Sequence, residues 1–323
     1  MKLTRSFFAL LAALALLVAA CGDGDDEETD AGSDTEEAAD AEDTASEDDA
    51  DTGETESDDD ADTDDSATDD GADGGEASCA VGLTKVEGTL TVATGEPVFP
   101  PWMIDDDPSN GEGFESAVVY ALAEKLGITS VEWVRTGFDE AVAPGEKDYD
   151  FNIQQYSIIE ARDEVVDFSD GYYQVEQAII GAADSPAATA TSLAELRELR
   201  LGAAVGTTSL AYVDDVIQPN EDAAVYDDNA AAKAAFDAGQ VDAIVFDLPT
   251  AYFITAEEIP EASIIGVLPR SGAPEELGML FEEGSELVPC INEALAELVA
   301  DGTIEELEET WLNQGGDIPS LTE

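Results

Sequence analysis

The sequence predicts an α/β protein whose folded part, residues 78–323, is divided into two lobes. Three observations carry that expectation. Strand-like β-branched or apolar runs alternate with helix-length apolar patterns; repeated βα units of this kind favour mainly parallel sheets flanked by helices; and about 246 residues suit two lobes rather than one.

The first 20 residues read as an address rather than a fold. Lys2 and Arg5 precede the run FFALLAALALLVAA, too short for a comfortable membrane span but the right size for the apolar part of a secretory signal. The run ends in VAAC, which resembles the end of a bacterial lipoprotein signal. That resemblance implies cleavage before Cys21, a lipid on its sulfur, and a protein exported and held at the outer face of the cytoplasmic membrane. Residues 22–77 follow, with 28 Asp or Glu among 56 residues and no basic or aromatic side chain. Such a segment buries too little apolar surface to offset its ordering entropy, so residues 21–77 are expected to be a lipidated cysteine and an acidic tether. As a flexible coil it would span roughly 40 Å, more with self-repulsion.

The folded part begins near residue 78. TLTVAT is a β-branched strand, and ESAVVYALAEKLG sets Val118, Ala121, Leu122 and Leu126 on one helical face before stopping at Gly127. VEWV and DFNIQQ supply the next strands. Farther on, LGAAV precedes a helix opening near Thr208, NAAAKAAFDAG is a helix ending at Gly239, and DAIVFD is a buried strand. Two helices close the chain, around INEALAELVADG and IEELEETWL.

Composition narrows the function. The chain has 11 Lys+Arg against 77 Asp+Glu, a formal charge of −66 and no His. A phosphate-neutralising surface is therefore missing, and nucleic acid is not an expected partner. Without His, the usual general base and the usual transition-metal ligand are missing, so neither metal nor cofactor is expected.

One stretch stands out: SIIEARDEVVDFSDGYY places Arg162 among acidic residues in a chain poor in cations. Arg162 either pairs with Glu160, Glu164 or Asp167 at the surface, or offers its planar fork to a carboxylate from outside. A carboxylate at the carboxyl end of a parallel strand faces the ligand crevice of an open sheet; Asp247 holds such a place, or is a plain N-cap before LPTAYF. A site with both signs would suit a free α-amino acid, whose carboxylate and ammonium are each costly to bury unpaired.

Four stretches in order, VATGEPVFPPW with GEGFE, SIIEARDEVVDFSDGYY, AAVGTTS and DAIVFDLPTAYF, resemble the type II periplasmic binding proteins, and within them the extracellular solute-binding proteins that deliver amino acids to ABC importers. The resemblance covers nearly all of residues 88–312. It implies two hinge crossings, after Tyr172 and Tyr173 and around residues 274–277. Lobe 1 would then comprise residues 88–172 and 278–312, and lobe 2 residues 177–272. It implies carboxylate binding by Arg162 and the backbone N–H of Thr208, and ammonium binding by Asp247 with Ser157 and the carbonyl of Gln155. Phe99 and Phe138 would cover the ligand's aliphatic part, Glu96 would belong to the ligand set, and Trp102 would lie in the pocket or the core. Gln155 and Tyr156 depart from the Gly and small residue common there, which implies a bulkier and more polar pocket floor. The expected partners are a small, polar amino acid and a membrane permease with its ATPase, for a monomeric, non-enzymatic binding protein. A sensor subunit, or a cyclohexadienyl dehydratase-like lyase using Glu96 or Glu176 as its acid, are the alternatives.

With Cys21 occupied by lipid, Cys79 and Cys290 remain as an even pair in an exported protein and are expected to form a disulfide that pins the first strand.

Overall fold

The computed structural model describes residues 78–312, 316 and 318–323; the signal, Cys21 and the acidic segment lie outside the described residues. The chain runs through β1 (Thr89–Thr94), α1 (Phe114–Lys125), β2 (Ser130–Arg135), α2 (Phe138–Val142), β3 (Phe151–Asn152), α3 (Glu160–Asp163) and β4 (Asp167–Phe168). It continues through β5 (Tyr173–Val175), β6 (Gln177–Ala182), α4 (Leu193–Leu196), β7 (Leu201–Ala204), α5 (Thr208–Tyr212), β8 (Ala224–Tyr226) and α6 (Asn229–Asp237). The last elements are β9 (Ala243–Asp247), α7 (Leu248–Phe253), β10 (Ala262–Val267), β11 (Glu275–Leu277), β12 (Leu280–Phe281), α8 (Val288–Ala300) and α9 (Thr303–Trp311).

These strands form two five-stranded sheets, ordered β2-β1-β3-β12-β4 and β10-β6-β9-β7-β8. Each has a three-stranded parallel core, β2-β1-β3 in the first and β9-β7-β8 in the second. The flanks are antiparallel: β6 runs against β9 and β10 against β6, and β12 runs against β3 and β4. The expectation of mainly parallel strands therefore holds for the cores and is corrected at the flanks. Between the sheets, β5 pairs with β11 as a two-stranded antiparallel ribbon, Tyr173 opposite Leu277. Both crossings thus run side by side.

The first sheet packs on α1, α8 and α9 through Leu90, Val92, Val118, Leu122, Phe151, Phe281, Ile291 and Leu295. Burying each of these side chains contributes about 1.5–3 kcal/mol. The second sheet is covered on one face by a cluster containing Leu196, Leu201 and Val213 and on the other by one containing Phe236, Phe246 and Ile254.

Two closures use residues distant in sequence. Cys79 and Cys290 form a disulfide across 211 residues, Cα to Cα 5.6 Å, fastening the segment before β1 to the first turns of α8. Residues 318–323 return to the second sheet, where the N–H of Leu321 donates to the Val267 carbonyl at 2.9 Å and the N–H of Val267 to the Pro319 carbonyl at 3.0 Å. Leu321 fills a buried slot beside Ile265 and Leu268. Among the described residues no helix is long and apolar enough to cross a membrane.

Candidate functional site

Arg162 lies on the short α3 that follows β3, and only 5% of it is exposed. Its guanidinium donates from Nη1 to the Ser157 carbonyl at 2.8 Å and from Nη2 to the Gly206 carbonyl at 2.9 Å, so one bond comes from each side of the crevice between the sheets. The plane lies 5.2 Å over the Phe138 ring and 5.9 Å from the Tyr156 ring, which are stacked on each other. Burial pulls its pKa down, while Tyr156, Glu275, Asp247 and Asp139 act the other way. An arginine stays charged regardless. No ion pair among the described residues includes Arg162; Asp167 instead accepts from the N–H of Gly284 at 2.7 Å. The surface-pairing alternative is thereby removed.

Gly206 has φ 72°, and a Cβ there would run into the Asp139 carboxylate of α2. The left-handed backbone of the loop after β7 favours glycine there, and a larger residue would also displace the Asp139 side chain.

Asp247 ends β9 and stands at the N-cap position of α7, yet its side chain makes no capping bond. Its Oδ1 accepts from Nε2 of Gln177 at 2.7 Å, the residue directly opposite on β6. The Gln177 amide is oriented in turn by Ser209, whose hydroxyl donates to its Oε1 at 2.6 Å. Asp247 is half-buried and keeps a face on the cavity. Burial pushes its carboxyl up to about 7, and the Glu275 carboxylate adds to the rise.

Gln155 occupies φ 50°, a left-handed conformation that costs a residue with a Cβ roughly 1 kcal/mol or more. Its N–H donates to Oε1 of the fully buried Glu115 at 2.8 Å, and its side-chain amide and the Tyr172 hydroxyl also donate to that carboxyl. Burial raises Glu115 to about 7 as well. The backbone turn that a glycine would make freely is thus held by a buried carboxyl.

All eight candidate ligand residues, Glu96, Phe99, Phe138, Gln155, Ser157, Arg162, Thr208 and Asp247, line one cavity of about 250 Å³. Gln154, Asp227 and Asn229 also line it. One expectation is corrected: Tyr156 is fully buried behind Phe138 and is no part of the floor. Of the two places open to Trp102 it takes the core, its Nε1 donating to Thr250 Oγ1 at 2.8 Å from the other side of the crevice. Glu176 lies away from the cavity, 3.5 Å from Arg270.

Sequence reasoning missed Gln177 and Glu275, and held Ser209 only as the end of the GTTS turn. The Glu275 Oε1 accepts from Ser157 Oγ and Thr208 Oγ1, each at 2.6 Å. The only local signal was polarity inside β6 and β11.

The chain matches the family model described as bacterial extracellular solute-binding proteins, family 3, over residues 90–314. It is 27% identical to the L-cystine-binding protein TcyJ of Escherichia coli K12 over 237 residues, 72% of this chain and 85% of that one. It is 26% identical to the lysine/arginine/ornithine-binding periplasmic protein of the same organism over 255 residues, 74% and 93% of the two chains. Among solved structures it resembles an ancestral arginine-binding protein bound to arginine, with TM-score 0.61, 32% identity, and 70% of this chain and 99% of that one covered. A second, also at TM-score 0.61, is an ancestral amino acid-binding protein, a precursor of cyclohexadienyl dehydratase, 28% identical, with 70% of this chain and 96% of that one covered. With the match extending from β1 past α9, this chain belongs to the bacterial extracellular solute-binding proteins, family 3.

Proposed function

We propose that this protein is the lipid-anchored substrate-binding component of an ABC importer, capturing a small polar α-amino acid between two lobes and presenting it to the permease and its ATPase. One observation carries the reading: a buried guanidinium and a half-buried carboxyl, Arg162 and Asp247, line a single cavity between the two sheets. A ligand with a carboxylate and an ammonium satisfies both, whereas one with a single charge leaves the other buried and unpaired. The relatives named for cystine, for lysine, arginine and ornithine, and for arginine bind such zwitterions. The two lobes, residues 88–172 with 278–312 and residues 177–272, close on the ligand by flexing the β5–β11 ribbon, because a ligand touching both binds the closed form better. Cys21 carries the lipid, and the acidic segment lets the folded part stand off the membrane.

The test is thermal unfolding of the full chain, first denatured and refolded to remove carried-over solute, against the common L-amino acids. At 100 times its dissociation constant a ligand adds about 2.7 kcal/mol of stability. One or a few polar amino acids raise Tm; if none does, the reading fails. A lyase of this fold would need a carboxyl acid in the cavity, and Asp247, raised to about 7, is the group placed for it. Turnover of prephenate or arogenate would favour that second reading.

A further inference from the structure

We propose that Glu275 is the positioning residue of the ammonium subsite: by accepting the hydroxyl protons of Ser157 and Thr208 it leaves both oxygens able only to accept, reserving that end of the cavity for a donating group. The proposal rests on the amino-acid reading above and names how the site tells an amine from other groups.

Glu275 sits on β11 and does not line the cavity; its carboxylate reaches the cavity wall from behind. A hydroxyl has one proton to give and two lone pairs, and a carboxylate can only accept. With Ser157 Oγ and Thr208 Oγ1 both donating to Oε1 at 2.6 Å, neither has a proton for the cavity that their residues line. The two oxygens are 3.4 Å apart, so their lone pairs converge on one region. Gln177 steadies the carboxylate from the other side, its Nε2 at 3.4 and 3.5 Å from the two oxygens, while donating to Asp247. Asp247 likewise offers only acceptors when ionised. A ligand carboxylate placed here would meet lone pairs and negative charge. An ammonium, with three protons, meets a carboxylate and two hydroxyl oxygens. The polarity of the hydroxyls therefore also fixes which way round the zwitterion enters, its carboxylate turned to Arg162.

The experiment titrates the full chain and its Glu275→Ala and Glu275→Gln variants by calorimetry with L-arginine, L-glutamine and L-cystine. Alongside run 5-guanidinopentanoate and glutaramate, which carry the carboxylate of arginine and glutamine without the ammonium. In Glu275→Ala the hydroxyls are free to turn their protons inward, and the amino acids that bind the unaltered protein bind at least about tenfold more weakly. The two analogues change by less than about threefold, on the same single-hydrogen-bond reasoning. Glu275→Gln, whose carbonyl oxygen still accepts from both hydroxyls, recovers most of the loss. Should Glu275→Ala not fold, Glu275→Met is closer in volume and carries the same expectation. Unchanged amino-acid affinity, equal losses for amino acids and analogues, or a Gln variant as weak as the Ala variant would each overturn the proposal while leaving the amino-acid reading intact. If no amino acid binds the unaltered protein, that reading fails and this inference fails with it.

Discussion

Replacing Arg162 by lysine keeps the charge and removes the fork. Of the five guanidinium protons, two are given to the Ser157 and Gly206 carbonyls, which lock the plane over Phe138. Three are left, one on Nε and one on each terminal nitrogen, enough for two bonds to a ligand carboxylate. A lysine that kept the two carbonyls would have a single proton to offer. The substitution thus loses one charge-assisted hydrogen bond to the ligand, about 1.5–3 kcal/mol, a weakening of roughly 13- to 160-fold. The planar stacking on Phe138 is present without ligand, so its loss lowers stability rather than affinity. Calorimetric titration of the full chain and of Arg162→Lys, with each L-amino acid that raises Tm and with its α-amide, measures it. The amino acid loses affinity in the variant, while the amide, which has no carboxylate, shows little further loss. Affinity within threefold of the unaltered protein, with a lowered Tm, would show that Arg162 only ties the two sides of the crevice and would refute the reasoning.

Asp247, raised to about 7, is mostly protonated at pH 6, and pairing with an ammonium requires its ionised form; binding at pH 6 is expected to release a proton, read from the dependence of the calorimetric enthalpy on buffer ionisation, and affinity rises with pH up to about 7. In the ligand-free protein Asp247 and Glu115 both have raised pKa values, so each holds more proton folded than unfolded between about pH 4 and about pH 7; the stability these two groups contribute is full below about pH 4, is lost as pH climbs through about 7, and is followed by urea unfolding at pH 5 and pH 8. Reducing the Cys79–Cys290 bridge removes a constraint worth roughly 5 kcal/mol at most in the chain-entropy model, and a reduction-insensitive Tm would deny it a structural role. Leu321→Ala empties a buried slot on the second sheet and costs about 2–5 kcal/mol in urea unfolding; a loss below 0.5 kcal/mol would show that the returning tail contributes little.

What the sequence displayed best was local. β1, α1, β9 and α6 were legible because their periodicity, their β-branched runs and their terminal glycines act within a few residues. β4 and β12 have two residues each, too few for any period, and exist only because neighbouring strands hold them, while the strand expected over DFNIQQ shrinks to the two residues of β3. The site divides the same way. Arg162 and Asp247 were visible as charges out of keeping with their surroundings. Gln177 acquires its place from strand register, standing opposite Asp247 across the β6–β9 pairing. Glu275 was hidden in a PEEL run that reads as solvated charge, until β11 turns its carboxylate onto Ser157 and Thr208. Leu321 lay in a short terminal stretch with no pattern, and its partners on β10 are more than fifty residues away.

The central claim is that one cavity holds a zwitterion by its two charges. A crystal structure of the refolded chain, grown with the L-amino acid that gives the largest rise in Tm, tests it most directly. The account expects the ligand carboxylate within hydrogen-bonding distance of the Arg162 guanidinium and the ammonium on Asp247 with the Ser157 and Thr208 oxygens. A ligand lying outside this cavity, or seated in it with its ammonium toward Arg162, would contradict the account.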